Sequence, residues 1–209
     1  MKEIWLIRHG ETEWNAQKRF QGHLDVPLSP VGIGQAFRLA QRLARSQLPF
    51  DGLFSSDLRR ARETAEPLVS VLGLPLRTTP LLREIDVGHL AGLDREEAEA
   101  RYPGFVQEAL RDPWHTPRPG GESMADLARR LAAFLEELPP GRHLLVTHGG
   151  IVRAALKMAL ELEGTTWRRF RIPNTSITRL LLPEQEVLGV ADTAHLETWA
   201  DWLSDESLK

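Results

Sequence analysis

Ile4-Trp5-Leu6-Ile7-Arg8-His9-Gly10-Glu11-Thr12-Glu13-Trp14-Asn15 decides how the rest of the chain is read. Its four leading apolar residues make a buried strand, and the run stops at an arginine and a histidine followed by a glycine. In open α/β sheets ligands sit beyond the carboxyl ends of the strands, so Arg8 and His9 stand where chemistry is done. A near-copy lies late in the chain. His143-Leu144-Leu145-Val146-Thr147 is another strand candidate, and it runs into His148-Gly149-Gly150. Two strand-ending His-Gly pairs are hard to explain by packing. They are explained if the strands are neighbours and both histidines face one pocket.

Outward from the first strand, Ser29-Pro30 announces a helix, with Ser at the N-cap and Pro at the first helical position. Ile33, Ala36, Phe37, Ala40, Leu43 and Ala44 form its expected buried stripe, and Arg38, Gln41, Arg42 and Arg45 its wet side. Residues 50–55 read as a short strand. Ser56-Asp57 is expected to cap the next helix, which carries Leu58, Ala61, Ala65, Leu68 and Leu72 and stops at Gly73. Pro67 inside it predicts a kink or break. Residues 76–79 read as an edge strand. Charged and amphipathic helices are expected over 94–102 and 105–111. A loop rich in Pro and Gly leads to a helix starting near Ser123, with Met124, Leu127, Leu131, Phe134, Leu135 and Leu138 as its stripe. Another helix follows His148, and residues 177–182 and 186–191 form a hairpin. The end of the chain, with Trp199 and Trp202, reads as an apolar tail packing on the body. Strands alternating with helices predict an α/β fold. We expect a single-domain three-layer α/β/α sandwich over 1–209, with a mostly parallel sheet and helices on both faces.

Composition narrows the function. The chain has 209 residues, enough for one substantial core. A formal net charge of -3 gives no reason to expect nucleic-acid or membrane-surface binding. Cysteine is absent, which excludes disulfides, thiolate catalysis and Cys-ligated metals. The first apolar run is too short for a secretory signal, and no segment approaches the ~20 apolar residues that span a bilayer. A cytoplasmic protein is expected. His23, His89, His115, His143 and His195 show no metal-ligand spacing, so no metal is assigned.

Four motifs in order resemble the histidine phosphatase superfamily, the family of the cofactor-dependent phosphoglycerate mutases. They are Arg8-His9-Gly10-Glu11-Thr12 with Trp14-Asn15, Ser55-Ser56-Asp57-Leu58-Arg59-Arg60-Ala61 through Thr64-Ala65, Leu82-Arg83-Glu84-Ile85 with Gly88 and Gly92, and Thr147-His148-Gly149-Gly150. The resemblance implies phosphoryl transfer through a phosphohistidine. That chemistry needs a nucleophile, charge neutralisation around the phosphate and an acid for the leaving group. His9 is the nucleophile candidate. Arg8 and Arg60 grip the phosphate, Arg60 being chosen over Arg59 and Arg62 because it directly precedes Ala61. His148 faces the phosphate from the other side as an imidazolium. Gly149 brings its backbone N–H close, Asn15 donates another hydrogen bond, and Gln21 and Gly22 belong to the phosphate-side loop. Glu84 is the general acid, with a pKa raised by Leu81, Leu82, Ile85 and a bound phosphate. Glu11 is given a structural role.

The choice within the family falls on the phosphatases. The resembling mutases carry Tyr where this chain has Val87, and a basic pair in a longer insert. Here the insert, around 93–121, reads Arg111-Asp112-Pro113-Trp114. Pro119-Gly120-Gly121-Glu122-Ser123 and Asn174-Thr175-Ser176 look phosphatase-like, whereas Arg95 stands where mutases have a lysine. The expectation is a metal-independent, cofactor-free phosphomonoesterase acting on a small phosphorylated metabolite, with the insert as substrate wall. The alternative is a phosphoglycerate mutase, which alone would need 2,3-bisphosphoglycerate. A catalytically silent phosphate-binding protein is the third reading. A homodimer is compatible with all three.

Overall fold

The computed structural model describes residues 1–197. The expected apolar tail with Trp199 and Trp202 lies outside the described residues. In chain order the elements are β1 (Lys2–Arg8), α1 (Glu13–Ala16), α2 (Pro30–Ser46), β2 (Gly52–Ser56), α3 (Arg59–Leu72), β3 (Leu76–Thr79), α4 (Arg95–Arg101), α5 (Pro103–Arg111), α6 (Met124–Glu137), β4 (Gly141–Thr147), α7 (Gly149–Ala159), β5 (Ile177–Leu182) and β6 (Glu186–Asp192). Six strands form one sheet in the order β3-β2-β4-β1-β5-β6. The first four in that order are parallel, and β5 and β6 close the sheet as an antiparallel hairpin.

Alternation along the central strands divides the core in two. Ile4, Leu6 and Leu145 face α6 and α7, joining Leu127, Leu131 and Ile151. Trp5, Ile7, Leu144 and Val146 face α2 and α3, joining Leu39, Leu43, Ala61 and Leu68. Burial on both faces is why β1 and β4 read as continuous apolar runs rather than as alternating patterns.

β1 and β4 are neighbours in register, Arg8 opposite Thr147. The His9 N–H extends the ladder by one step to the Thr147 carbonyl at 2.8 Å. Both His-Gly turns therefore leave the same edge of the sheet side by side, as the echo in the sequence requires.

Three local expectations are corrected. Ile33 and Phe37 are exposed, at 48% and 56%, and α2 buries Gly32, Ala36, Leu39, Ala40 and Leu43 instead. The cause is the first turn of α2. Gly32 sits so close to the Glu11 backbone that a Cβ there would overlap the Glu11 carbonyl oxygen, which sets the rotation of the helix. The start of α3 is capped from outside its own segment. Leu58 holds the N-cap position with no side-chain bond, and the Arg59 N–H donates to Asp25 Oδ1 at 2.6 Å. Asp57 pairs with Arg83 instead. Finally, α3 continues through Pro67 without interruption, because Ala65 and Leu68 pack into the core on either side of the missing hydrogen bond.

Candidate active site

Arg8, His9, Asn15, Gln21, Gly22, Arg60, Glu84 and Gly150 line one cavity of ≈ 460 Å³ at the carboxyl ends of β1 and β4. Gly149 and His148 are not among the lining residues; His148 is fully buried and reaches the site through its contact with His9, the ring centroids being 5.1 Å apart. Both rings are buried.

The His9 ring is fixed by its own turn. Nδ1 lies 2.6 Å from the Gly10 carbonyl oxygen, so Nδ1 carries the proton and donates. Nε2 is left with a free lone pair. Burial, followed by the charges of Arg60 and Arg8, pushes the His9 pKa well below its ordinary value and keeps the ring neutral. The turn around it is tied down repeatedly. The Gly10 N–H donates to Thr64 Oγ1 at 2.9 Å, and Thr64 Oγ1 donates to the Arg60 carbonyl at 2.6 Å. Asn174 Nδ2 donates to the His9 carbonyl, and the Thr175 N–H to that of Arg8. Thr64 and Asn174 thus hold the nucleophile candidate in place. The sequence placed them inside motifs but assigned them no part.

Arg8 donates through Nη1 to the Ile172 carbonyl at 2.6 Å, and Arg60 through Nη1 and Nη2 to the carbonyls of Leu24 and Gly22. Burial lowers each guanidinium to about 10, against the attraction of Glu84, so both stay charged at neutral pH. Nε of each is buried and has no partner among the described residues. Gly22 serves through its carbonyl, at φ +51°, where a Cβ would collide with Val87. Gln21 is buried, and its Oε1 has no partner among the described residues. Asn15 Oδ1 accepts from the Thr12 N–H and from Asn174 Nδ2, leaving its own Nδ2 to donate.

His148 departs from its expected charge. Burial first, then Arg60, His9, Arg130 and Arg8, push its pKa well below the ordinary value. The ring is therefore neutral, and both of its nitrogens are buried without partners among the described residues. An imidazolium there requires a bound anion to offset those cations.

Glu84 also differs from expectation. Its carboxylate sits not among leucines but at the start of α7, accepting the Gly150 N–H at 3.1 Å on both oxygens and the Ile85 N–H on Oε1. A Cβ on Gly150 would overlap Glu84 Oε1, so the second glycine of the His148 turn is there to admit this carboxylate. Gly149 opens α7 between Arg8 and Arg153, where a Cβ would lie 3.2 Å from Arg153 Nη1. The Glu84 carbonyl is anchored by Arg130 Nη2 at 2.9 Å and His23 Nε2 at 2.8 Å. Glu11 accepts from Ser29 Oγ, matching its structural role.

Four further arginines, Arg19, Arg118, Arg153 and Arg168, line the cavity. Sequence reasoning missed them because an arginine on a helix or in a loop reads as solvated. The one available signal was the preponderance of arginine among the cations. Among the described residues no group of three or more His, Cys, Asp or Glu converges as metal ligands do, and no helix is long and apolar enough to cross a membrane.

A mostly parallel sheet presenting two facing histidines and paired guanidiniums defines an α/β enzyme of phosphate-ester chemistry. The chain belongs to the histidine phosphatase superfamily, whose branch 1 profile matches residues 4–191. It is 36% identical over 208 residues, 94% of this chain and 96% of the relative, to a probable phosphoglycerate mutase of Yersinia pestis. Its backbone is similar to that of the mycobacterial glucosyl-3-phosphoglycerate phosphatase complexed with VO3, at TM-score 0.77 and 34% identity over 87% of this chain and 93% of that one. It is also similar to a phosphoserine phosphatase mutant of Entamoeba histolytica in complex with phosphoserine. There the TM-score is 0.79 at 29% identity, over 94% of this chain and all of that one (100%).

Proposed function

We propose that this chain hydrolyses a small phosphorylated metabolite in the cytoplasm, without a metal, through a phosphohistidine on His9. The observation that carries this is the His9 ring. With Nδ1 donated to Gly10, Nε2 is a neutral nucleophile flanked by two buried guanidiniums. Nε2 attacks phosphorus, the P–O bond to the leaving group breaks, and Glu84 delivers a proton to the departing oxygen. Water then attacks the phosphohistidine and gives its proton to Glu84, and phosphate leaves with His9 restored. Arg8 and Arg60 neutralise the phosphoryl oxygens throughout, with Asn15, Gln21 and the N-terminus of α7 as further donors. The phosphate dianion draws a proton onto His148, whose imidazolium then stabilises the charge that builds on the phosphoryl oxygens.

The segment 93–121 is assigned as the substrate wall of the 1–209 domain. Phe105, Val106, Leu110 and Pro113 from it line an apolar groove that shares Val87, Arg118 and Trp167 with the phosphate cavity. The second reading, phosphoglycerate mutase, is supported by the naming of relatives such as the Yersinia protein. Against it, Arg95, at the position of the mutases' lysine, is exposed and paired with Glu99, and it lines the groove rather than the phosphate cavity.

The test is to trap the phosphoenzyme. Wild type incubated with aryl phosphate and quenched should carry acid-labile, base-stable phosphate, and His9→Ala should carry none and lose turnover by at least 1,000-fold. Isomerisation of 3-phosphoglycerate, stimulated by 2,3-bisphosphoglycerate and far faster than hydrolysis, would replace this reading with the mutase.

A further inference from the structure

The cavity holds more positive charge than one phosphate consumes. Six arginines line it. Arg19 is paired with Glu97, which leaves five facing a single carboxylate, Glu84. A phosphomonoester brings about two negative charges at neutral pH. In the substrate complex Glu84 carries the proton that it delivers, so the phosphate alone offsets two of the five, and Arg8 and Arg60 are the two beside His9.

The other three form a second group. Arg118 and Arg153 each feel the charge of Arg168. Arg153 is held by a 3.1 Å bond from Nε to the Phe170 carbonyl, next to the turn that carries Trp167 and Arg168. Two donors in this wall are buried and have no partner among the described residues, Arg118 Nη1 and Trp167 Nε1. Buried donors of that kind are costly unless something accepts from them. The wall is rigidly backed, since Trp167 packs edge-on to Trp114 at 5.5 Å and Lys157 lies over the Trp114 ring. Arg118, Trp167 and Arg168 line both the phosphate cavity and the apolar groove, so the group marks the junction of the two.

We propose that Arg118, Arg153, Trp167 and Arg168 form a second anion subsite, and that the substrate is a phosphomonoester carrying another anionic group, a carboxylate or a second phosphoryl. The subsite deepens the phosphatase reading by naming its substrate class. Guanidinium forks suit either anion through paired N–H bonds, and the indole N–H adds a neutral donor that donates to an oxygen near its plane. Ground-state binding by this group lowers KM, and only the part retained in the transition state raises kcat.

Binding separates this proposal from the hydrolysis reading. The full chain carrying His9→Ala is titrated by calorimetry with propyl phosphate, 3-phosphoglycerate and propane-1,3-diol bisphosphate. At least one of the two doubly anionic ligands should bind ten-fold or more tighter than propyl phosphate, and which one it is identifies the second group. Adding Arg118→Gln with Arg168→Gln should reduce that preference to less than three-fold, with circular dichroism verifying the fold. Equal binding of all three ligands, or a preference that survives the double substitution, overturns the subsite. If wild type hydrolyses none of the three and no aryl phosphate, yet the preference is found, the subsite stands and the hydrolysis reading falls.

Discussion

Glu84 is the residue whose surroundings differ most from what its neighbours in the chain suggest. Leu82 is fully buried in the core, Ile85 lines the cavity beside it, and the carboxylate is taken by the first turn of α7. Oε1 accepts from both Gly150 and Ile85, and a glutamine keeps that oxygen. Glu84→Gln should therefore fold normally, losing the acceptor at Oε2, the negative charge and the transferable proton. We expect a fall of about 100-fold or more in kcat for alkyl phosphates, the scale of general acid catalysis, and less than about five-fold for activated aryl phosphates, whose leaving groups need no proton. Steady-state rates on the two ester classes check this, and equal losses would remove Glu84 from the acid role. At this scale the sequence was legible where a motif holds the residue. It was illegible for Arg118, Arg153 and Arg168, because the solvent exposure of an arginine is set by what folds over it.

At the scale of elements, the two His-Gly turns depend on glycine for different reasons. Gly150 makes room for a side chain from a distant loop, and Gly32 lets α2 lean on the strand-ending turn. Gly32→Ala forces the first turn of α2 away from the Glu11 backbone, which itself bonds the Ser29 N–H. Overpacking against backbone should destabilise by about 1–3 kcal/mol. Chemical denaturation with an unchanged m-value checks it, and a loss below about 0.5 kcal/mol would show that the helix shifts freely. The helix periods were legible, but the rotation of α2 was not. Ile33 and Leu39 are equally apolar in the sequence, and only the contact of Gly32 with Glu11 decides which one is buried. The outside cap on α3 was hidden for the same reason, since Asp25 lies 34 residues before the N–H it accepts.

For the whole molecule, burying neutral histidines links stability to pH. His9 and His148 have folded pKa values well below the ordinary one, and burial with Arg42 brings His195 down to about 4. The unfolded chain binds protons at these positions from about pH 6.5 downward, and the folded chain does not. Stability is therefore fully present above about pH 6.5 and falls as pH drops below it. The two site histidines together contribute a slope of up to about 2.7 kcal/mol per pH unit, at about 1.4 for each proton. Denaturation midpoints between pH 7.5 and 5.5 measure this, and His148→Gln should reduce the slope by about one proton. Inorganic phosphate should flatten it further by drawing a proton onto His148 in the folded state. A stability that is flat across that range without phosphate would mean that the pocket is not dry.

The sequence by itself determined the α/β class, the order of elements, and the strand-ending Arg8-His9 and His148 that mark one sheet edge as the reactive one. Those properties are local, written in apolar runs, caps and motif spacing. Tertiary structure alone decided the proton position on His9, the neutral state of His148, the seat of Glu84 against α7 and the second arginine group. Each depends on burial and on charges brought together from segments far apart in the chain, and the electrostatics of a buried site has no counterpart in the linear order of residues.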